Sequence, residues 1–243
     1  MLACLCPLHY YFLMSESQRV RRVGLPQNPA LRDRIAVRRR YSPGLEEDER
    51  KGFRGWHERG YLPHCDKPGL TQFVTFRLGD SFPASRRSEW ECLWKIMEDN
   101  RRREELEAYL DKGRGSCYMR QEAIGDLVEC ALRYFHPTRY ALYAWCVMPN
   151  HVHVLFKVSD VPMSAILESW KKYTSLKANA MLKRRGRFWE ADYWDTYMRD
   201  MDHQRETIRY IEYNPVKAGL VESPKDWPWS SARLRDELGV LKM

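Results

Sequence analysis

Val147-Met148-Pro149-Asn150-His151-Val152-His153-Val154-Leu155-Phe156-Lys157-Val158 is the stretch on which the reading of this 243-residue chain turns. From position 151 the residue types alternate, with Val152, Val154, Phe156 and Val158 on one side and His151, His153, Leu155 and Lys157 on the other. A period of two is that of a β-strand, and the valine side suits a buried sheet surface. The opposite side carries two imidazoles at i and i+2, a spacing that turns both rings the same way. Either they share a metal ion or they line a solvated polar face, and on these residues alone both readings stand.

The neighbouring stretches extend the strand into a domain. Tyr140 to Met148 is a second strand, and Pro149-Asn150 is so tight a connection that the two must form an antiparallel hairpin. Downstream, Pro162 opens a long helix to about Arg185, ended by Gly186. Arg187 to Arg199 is aromatic and extended, a last strand, and Asp200 can N-cap a final helix through Tyr213 that stops at Asn214-Pro215. Upstream, Leu70 to Leu78 is rich in β-formers. A helix introduced by Pro83 and Ser85 follows, with Trp90, Leu93, Trp94 and Met97 on one face, and runs to about Lys112. A second helix covers Met119 to Phe135. The order is that of an α+β, ferredoxin-like β-α-β-β-α-β sandwich: an antiparallel sheet with its helical connections on one face and an open second face. The valine side should meet the connections, which leaves the histidines on the open side and the final helix free to lie across it.

Four segments are expected: a basic arm at 1–45, an ordered Gly/Trp-rich lead-in at 46–67, the compact domain at 68–222 and a packed tail at 223–243. Residues 15–41 hold eight arginines against Glu16 and Asp33, a flexible arm or merely a solubilising one. The apolar, tyrosine-rich opening Met1 to Leu13 lacks a basic leader and a clear cleavage site; it reads as a loose tail, or as an extension upstream of a start at Met14. The balance of 41 Lys+Arg to 33 Asp+Glu gives +8, which admits a polyanionic partner without requiring one. Seven cysteines without a CxxC pair favour reduced thiols in a cytoplasmic protein over a disulfide framework or zinc knuckle. Nothing approaches a membrane span.

The chemistry expected of the open face comes from the last helix. Tyr210 and Asn214 stand at i and i+4 and project from one side. A tyrosine beside an ion held by two imidazoles and an amide could attack a phosphate whose oxygen the ion polarises. A free phenol with a pKa near 10 is a poor nucleophile and needs such help. Tyr213 competes for the role, and an ordinary amphipathic-helix tyrosine is the bland alternative.

At this point the residues resemble a known family. "VMPNHVHVLF", "RFWEADYWDTYMRD" and "YIEYNPVKAGLVESPKDWPWSS" resemble the REP-associated tyrosine transposases, relatives of the single-tyrosine HUH insertion-sequence transposases, over roughly residues 68 to 233. His-hydrophobic-His alone is a weak signal; followed by Tyr-x-x-x-Asn-Pro-Val-Lys-x-Gly-x-Val it is a strong one. The resemblance implies a single-strand DNA endonuclease in which His151 and His153 are the HUH pair, Tyr210 the nucleophile and Asn214 the third, helix-borne ligand. It implies a 5′-phosphotyrosine intermediate with a free 3′-hydroxyl, a divalent cofactor (Mg²⁺ or Mn²⁺), hairpin or single-stranded DNA such as REP-like palindromes as partner, and a monomer. The basic N-terminus and its Gly/Trp loop depart from the pattern.

For DNA, Lys171, Lys172, Lys183, Arg184, Arg185 and Arg187 cluster around the end of the long helix, with Trp170, Tyr173, Phe188 and Trp189 interleaved, and Lys217 follows Asn-Pro. Cations track phosphates and rings stack on unpaired bases. The alternative is a solvated helix face with its aromatics in the core, the better reading for Trp170 and Phe188. Lys217 could instead sit near the helix C-terminal carbonyls. Two rival functions remain: a hairpin-binding protein without turnover, and a metal phosphodiesterase in which water attacks and no covalent adduct forms.

Overall fold

The computed structural model describes residues 46–58, 63–93, 96 and 99–243; the expected basic arm, and with it Trp94 and Met97, lies outside them. The fold is α+β. Four strands, β3 (Thr71–Arg77), β4 (Tyr140–Val147), β5 (His151–Val158) and β6 (Trp194–Tyr197), form one sheet in the order β4-β5-β3-β6, every neighbouring pair antiparallel. A separate hairpin joins β1 (Gly55–Glu58) to β2 (Pro63–Asp66). The longer helices are α1 (Asp99–Asp111), α2 (Glu122–Arg133), α3 (Met163–Met181) and α4 (Met201–Lys217).

The valine side of β5 is buried as its alternation requires. Val74, Phe76, Trp145, Val154 and Phe156 form a core with Val128 and Leu132 of α2 and Ile166 and Trp170 of α3. Polar atoms inside that core are matched: the Trp170 indole donates to the Tyr140 hydroxyl, which donates to the Leu132 carbonyl. Trp170 and Phe188 are core residues, as their bland reading held, and so is Trp189, whose indole donates to Thr174 Oγ1.

The histidine side departs from expectation: it is not open. The stretch expected as one helix from 83 to 112 is broken. A 3₁₀ turn (Ala84–Arg86) and a short helical turn (Arg87–Trp90) pack Trp90 on Phe82, and the chain starts a new helix at Asp99. That break lets α1 cross to the histidine side while α2 stays on the valine side. Leu106, Tyr109 and Leu110 of α1 then cluster with Phe82 and Trp194. The first crossover therefore supplies one helix to each face. Roofed by α1 and α4, His151 and His153 are fully buried.

The final helix is also longer than expected. Asp200 caps it as the sequence indicated, accepting from the His203 amide at 2.8 Å. It passes through Pro215 to Lys217 instead of stopping at Asn214. A proline so near the end removes a single intrahelical donor and can be carried for one more turn.

Two accessory pieces brace the sheet. The β1–β2 hairpin docks on β6 through His64, which is fully buried between Asp195, bonded to Nδ1, and Asp192, 3.2 Å from Nε2. Burial opposes a charge on this ring, but the two carboxylates outweigh it and raise its pKa to about 9. The hairpin's last residue, Asp66, accepts from the Met163 amide and the Ser164 hydroxyl at the start of α3. At the other end, residues 227–235 run along the outer side of β4. Val147 N donates to the Trp229 carbonyl, Trp145 N to Ser231 Oγ, and Arg235 reaches both the Tyr143 carbonyl and the Glu212 carboxylate of α4. Gly125 of α2 makes room for that tail: a Cβ there would come within 2.3 Å of the Trp229 ring.

Candidate metal and tyrosine site

Strand alternation turns both imidazoles to the same side, and their far nitrogens fix how they present themselves. His151 Nδ1 lies 2.8 Å from Asn150 Oδ1. The Asn150 amide nitrogen is committed to the Leu110 and Arg114 carbonyls, so its oxygen faces the ring and Nδ1 must be the donor. Nε2 of His151 is then a bare lone pair. His153 Nδ1 meets Thr75 Oγ1 at 2.8 Å, and the two Nε2 atoms face each other 3.0 Å apart. Two ligands at about 2.1 Å from a shared ion and at right angles to it are about 3.0 Å apart. Fixing imidazoles through their outer nitrogens is the usual support of a metal site.

Both rings are held neutral, the form that binds metal. Burial, with Lys217 adding to it, lowers His151 to about 3. Burial, then the charges of His151, Arg103 and Lys217, takes His153 well below the ordinary range. Asp111, the last residue of α1, completes a group with the histidines whose ligand atoms all lie within 4.8 Å of one another. Its Oδ1, 3.8 Å from His151 Nε2, has no hydrogen-bond partner. The Asn214 amide also lacks partners at both polar atoms, although the residue is 1% exposed. Neutral imidazoles, a carboxylate and an orphaned buried amide make a donor set that suits a divalent cation.

Tyr210 lies against this group, its ring centroid 5.6 Å from that of His153 and 5.9 Å from that of Phe73. Its hydroxyl donates to Glu107 Oε2 of α1 at 2.8 Å. Burial, and then the negative charge of Glu107, raises the phenol above its ordinary pKa. Tyr213 points away and is 56% exposed. Because α4 continues through Pro215, Lys217 stands on the same side as Tyr210 and Asn214. It pairs with Asp111 Oδ2 at 2.9 Å, with Nζ 5.6 Å from the Tyr210 ring centre.

The basic residues divide differently from their sequence clustering. Lys171 donates to three carbonyls, those of Glu190, Ala191 and Asp192, and is spent on holding that loop. Arg187 pairs with Glu190 at 2.9 Å, and Arg184 donates to the Arg187 carbonyl above the Tyr118 ring. Lys172, Lys183 and Arg185 are exposed and make no hydrogen bond or ion pair among the described residues. Since α3 ends at Met181, Lys183 to Arg187 form a loop rather than a helix end, with Lys183 at a φ of 51°.

Sequence reasoning missed Arg103, Glu107 and Asp111. They recur every four residues along α1 and so share one face, which was the available signal. The solvated side of a longer amphipathic helix shows the same spacing, so the signal is ambiguous until the helix break is known.

Comparison with known proteins agrees with this geometry. Residues 112–214 match the family described as "Transposase IS200 like", a span that holds the histidine strand, Tyr210 and Asn214. That stretch is thus similar to the IS200-like transposases. Two relatives are each 28% identical, one over 99 residues to a Haemophilus influenzae protein and one over 93 residues to an Escherichia coli protein, both named as REP-associated tyrosine transposases. The matches cover 36% and 38% of this chain, and the chain spans only 56% and 54% of those relatives. A solved structure of a REP-associated tyrosine transposase bound to a REP hairpin aligns over 73% of this chain and 82% of its own, at 20% identity and a TM-score of 0.46. Over those spans the chain is similar to the REP-associated tyrosine transposases.

Proposed function

We propose that this protein is a divalent-metal-dependent transesterase that cuts single-stranded or hairpin DNA, REP-like palindromes among them, through a 5′-phosphotyrosine at Tyr210. The observation that carries the proposal is the contact of Tyr210 with His153, a ring whose outer nitrogen is fixed and whose inner nitrogen faces His151. The exposed position of Tyr213 supports choosing Tyr210 over it. The strand order β4-β5-β3-β6 supports reading the fold as ferredoxin-like, with α4 as the added helix that bears the nucleophile.

His151 and His153 would hold the ion, with Asp111 and Asn214 as further ligands. Mg²⁺ and Mn²⁺ are the ions proposed, since carboxylate and amide oxygens suit both. When bound, the ion would polarise a phosphate oxygen and orient the scissile bond. Tyr210 Oη attacks phosphorus, the P–O3′ bond breaks, and the free 3′-hydroxyl can later reverse the step. Lys217 supplies positive charge beside the tyrosine, and Lys172, Lys183, Arg184, Arg185 and Arg187 form the surface proposed to track the DNA backbone. Lys171 supports that surface from below by holding the 190–192 carbonyls. A cytoplasmic monomer is the proposed working form; among the described residues no helix is long and apolar enough to cross a membrane.

Hairpin DNA labelled on either side of the cut tests this. Wild type should become covalently linked to the downstream 5′ end. Tyr210→Phe should keep its fold and hairpin affinity yet form no adduct, while Tyr213→Phe should stay active. Cleavage without an adduct would make water the nucleophile; tight binding with neither would leave a binding protein.

A further inference from the structure

The proposed chemistry leaves a proton to be removed from the Tyr210 hydroxyl, and the site holds a buried carboxylate that no other step uses. Glu107 is 4% exposed, and its Oε2 accepts the Tyr210 hydroxyl hydrogen at 2.8 Å. Its other oxygen, Oε1, lies 3.4 Å from Arg103 Nε. Arg103 is itself fixed, donating to Thr196 Oγ1 at 2.6 Å with its guanidinium over the Phe73 ring. Nucleophile, proton acceptor and orienting cation therefore stand in a row, the arrangement by which a weak hydroxyl nucleophile is activated elsewhere.

Other groups nearby are engaged. Lys217 is a cation paired to Asp111, and the histidine Nε2 atoms face each other. Among the described residues, Glu107 is the base hydrogen-bonded to Oη. It lies on α1, outside residues 112–214 that match the transposase family.

Resting on the tyrosine-nucleophile reading, we propose that Glu107 is a catalytic residue, the general base that takes the Tyr210 proton as Oη attacks phosphorus, with Arg103 as its positioning residue. In the step, the O–H bond of Tyr210 breaks and its proton moves to Glu107 Oε2. The freed electron pair forms the Oη–P bond, the P–O3′ bond breaks, and O3′ leaves with the electron pair of that P–O3′ bond and takes a proton from water, releasing hydroxide. In the return reaction the 3′-hydroxyl gives its proton to solvent hydroxide as O3′ attacks phosphorus, the P–Oη bond breaks, and Glu107 gives its proton back to Oη.

The test is the rate of adduct formation on labelled hairpin DNA at saturating Mn²⁺. Glu107→Gln keeps shape and a polar contact but cannot accept the proton. A general base contributes about 10²–10⁴-fold, so Glu107→Gln should form adduct at least about 100-fold more slowly than wild type, with hairpin affinity unchanged. Glu107→Ala opens a space for a small carboxylate, and added formate should restore part of its rate, a response that a purely structural role would not give. If Glu107→Gln reacts at the wild-type rate or faster, the carboxylate merely restrains the tyrosine and the proposal falls. If the Gln variant is slow but unstable, the Ala variant decides: a rate that rises with formate sustains the proposal and an indifferent one overturns it. A wild type that forms no adduct overturns both this inference and the nucleophile reading; a wild-type adduct undiminished in Glu107→Gln overturns this inference alone.

Discussion

Replacing His64 by glutamine should remove a pH-dependent clamp between the β1–β2 hairpin and the sheet. In the folded protein the ring is charged between Asp192 and Asp195 with a pKa of about 9; unfolded, it returns to about 6.5. At about 1.4 kcal/mol per pH unit, that difference corresponds to about 3 kcal/mol favouring the folded state. The folded form has the higher pKa, so it binds more protons than the unfolded form between the two values. The contribution is therefore complete below about pH 6.5, declines as pH rises, and is gone above about pH 9. Urea unfolding of wild type and His64→Gln at pH 6, 7.5 and 9.5 measures it, because other titrating groups cancel in the difference. The gap between the two proteins should narrow by about 3 kcal/mol from the lowest pH to the highest. Should the hairpin release on its own, the exchange protection factors of residues 55–58 and 64–66 would fall at high pH in wild type before those of the sheet do. A gap that stays constant to within about 1 kcal/mol would mean that His64 is neutral in the folded protein, and the charge argument would be refuted.

Chelation should abolish cleavage, with Mg²⁺ or Mn²⁺ restoring it; full activity after exhaustive chelation would remove the ion from the mechanism. His153→Ala should lose both cleavage and Mn²⁺ binding by calorimetry and, since the ring is fully buried, should also lower stability by about 2–3 kcal/mol; unchanged stability would contradict that packing. Neutralising Lys183, Arg184, Arg185 and Arg187 together should flatten the salt dependence of hairpin binding, by about 0.7 in log–log slope for each phosphate that no longer meets a cation. With Arg184 and Arg187 partly engaged within the protein, a change matching two phosphates rather than four is expected, and no change would place the DNA elsewhere. Gly125→Ala should cost about 1–3 kcal/mol, or displace the tail, because the added carbon would overlap Trp229; a neutral outcome in thermal unfolding would show that the ring gives way.

What the sequence revealed and what it hid divide along physical lines. The β4–β5 hairpin was readable because its signals are local: strict alternation after 151 and a two-residue Pro-Asn connection. That Tyr210 and Asn214 share one side of a helix was readable because helical spacing is local too. The second role of Asn150 was not, since fixing the His151 tautomer depends on the carbonyls of Leu110 and Arg114, some forty residues away. Nor was the crossing of α1 to the histidine side, which follows from a helix break between Trp90 and Asp99 where the apolar spacing runs on without interruption. The end of α4 was misjudged for a narrower reason: Pro215 reads as a stop, and in a last turn it is not.

The tail along β4 bears on how the protein can fail. A strand at the border of a sheet offers unpaired amides and carbonyls to any passing chain, and a second copy is the commonest taker. Here Trp229, Ser231 and Arg235 occupy those groups near residues 143–147. The same tail reaches Glu212, two residues beyond Tyr210, through Ser231 and Arg235. A variant that shed it would therefore lose more than the bracing of α4. It would expose a ready template for self-association, and the first sign of damage would be turbidity on concentration, ahead of any measurable loss of chemistry.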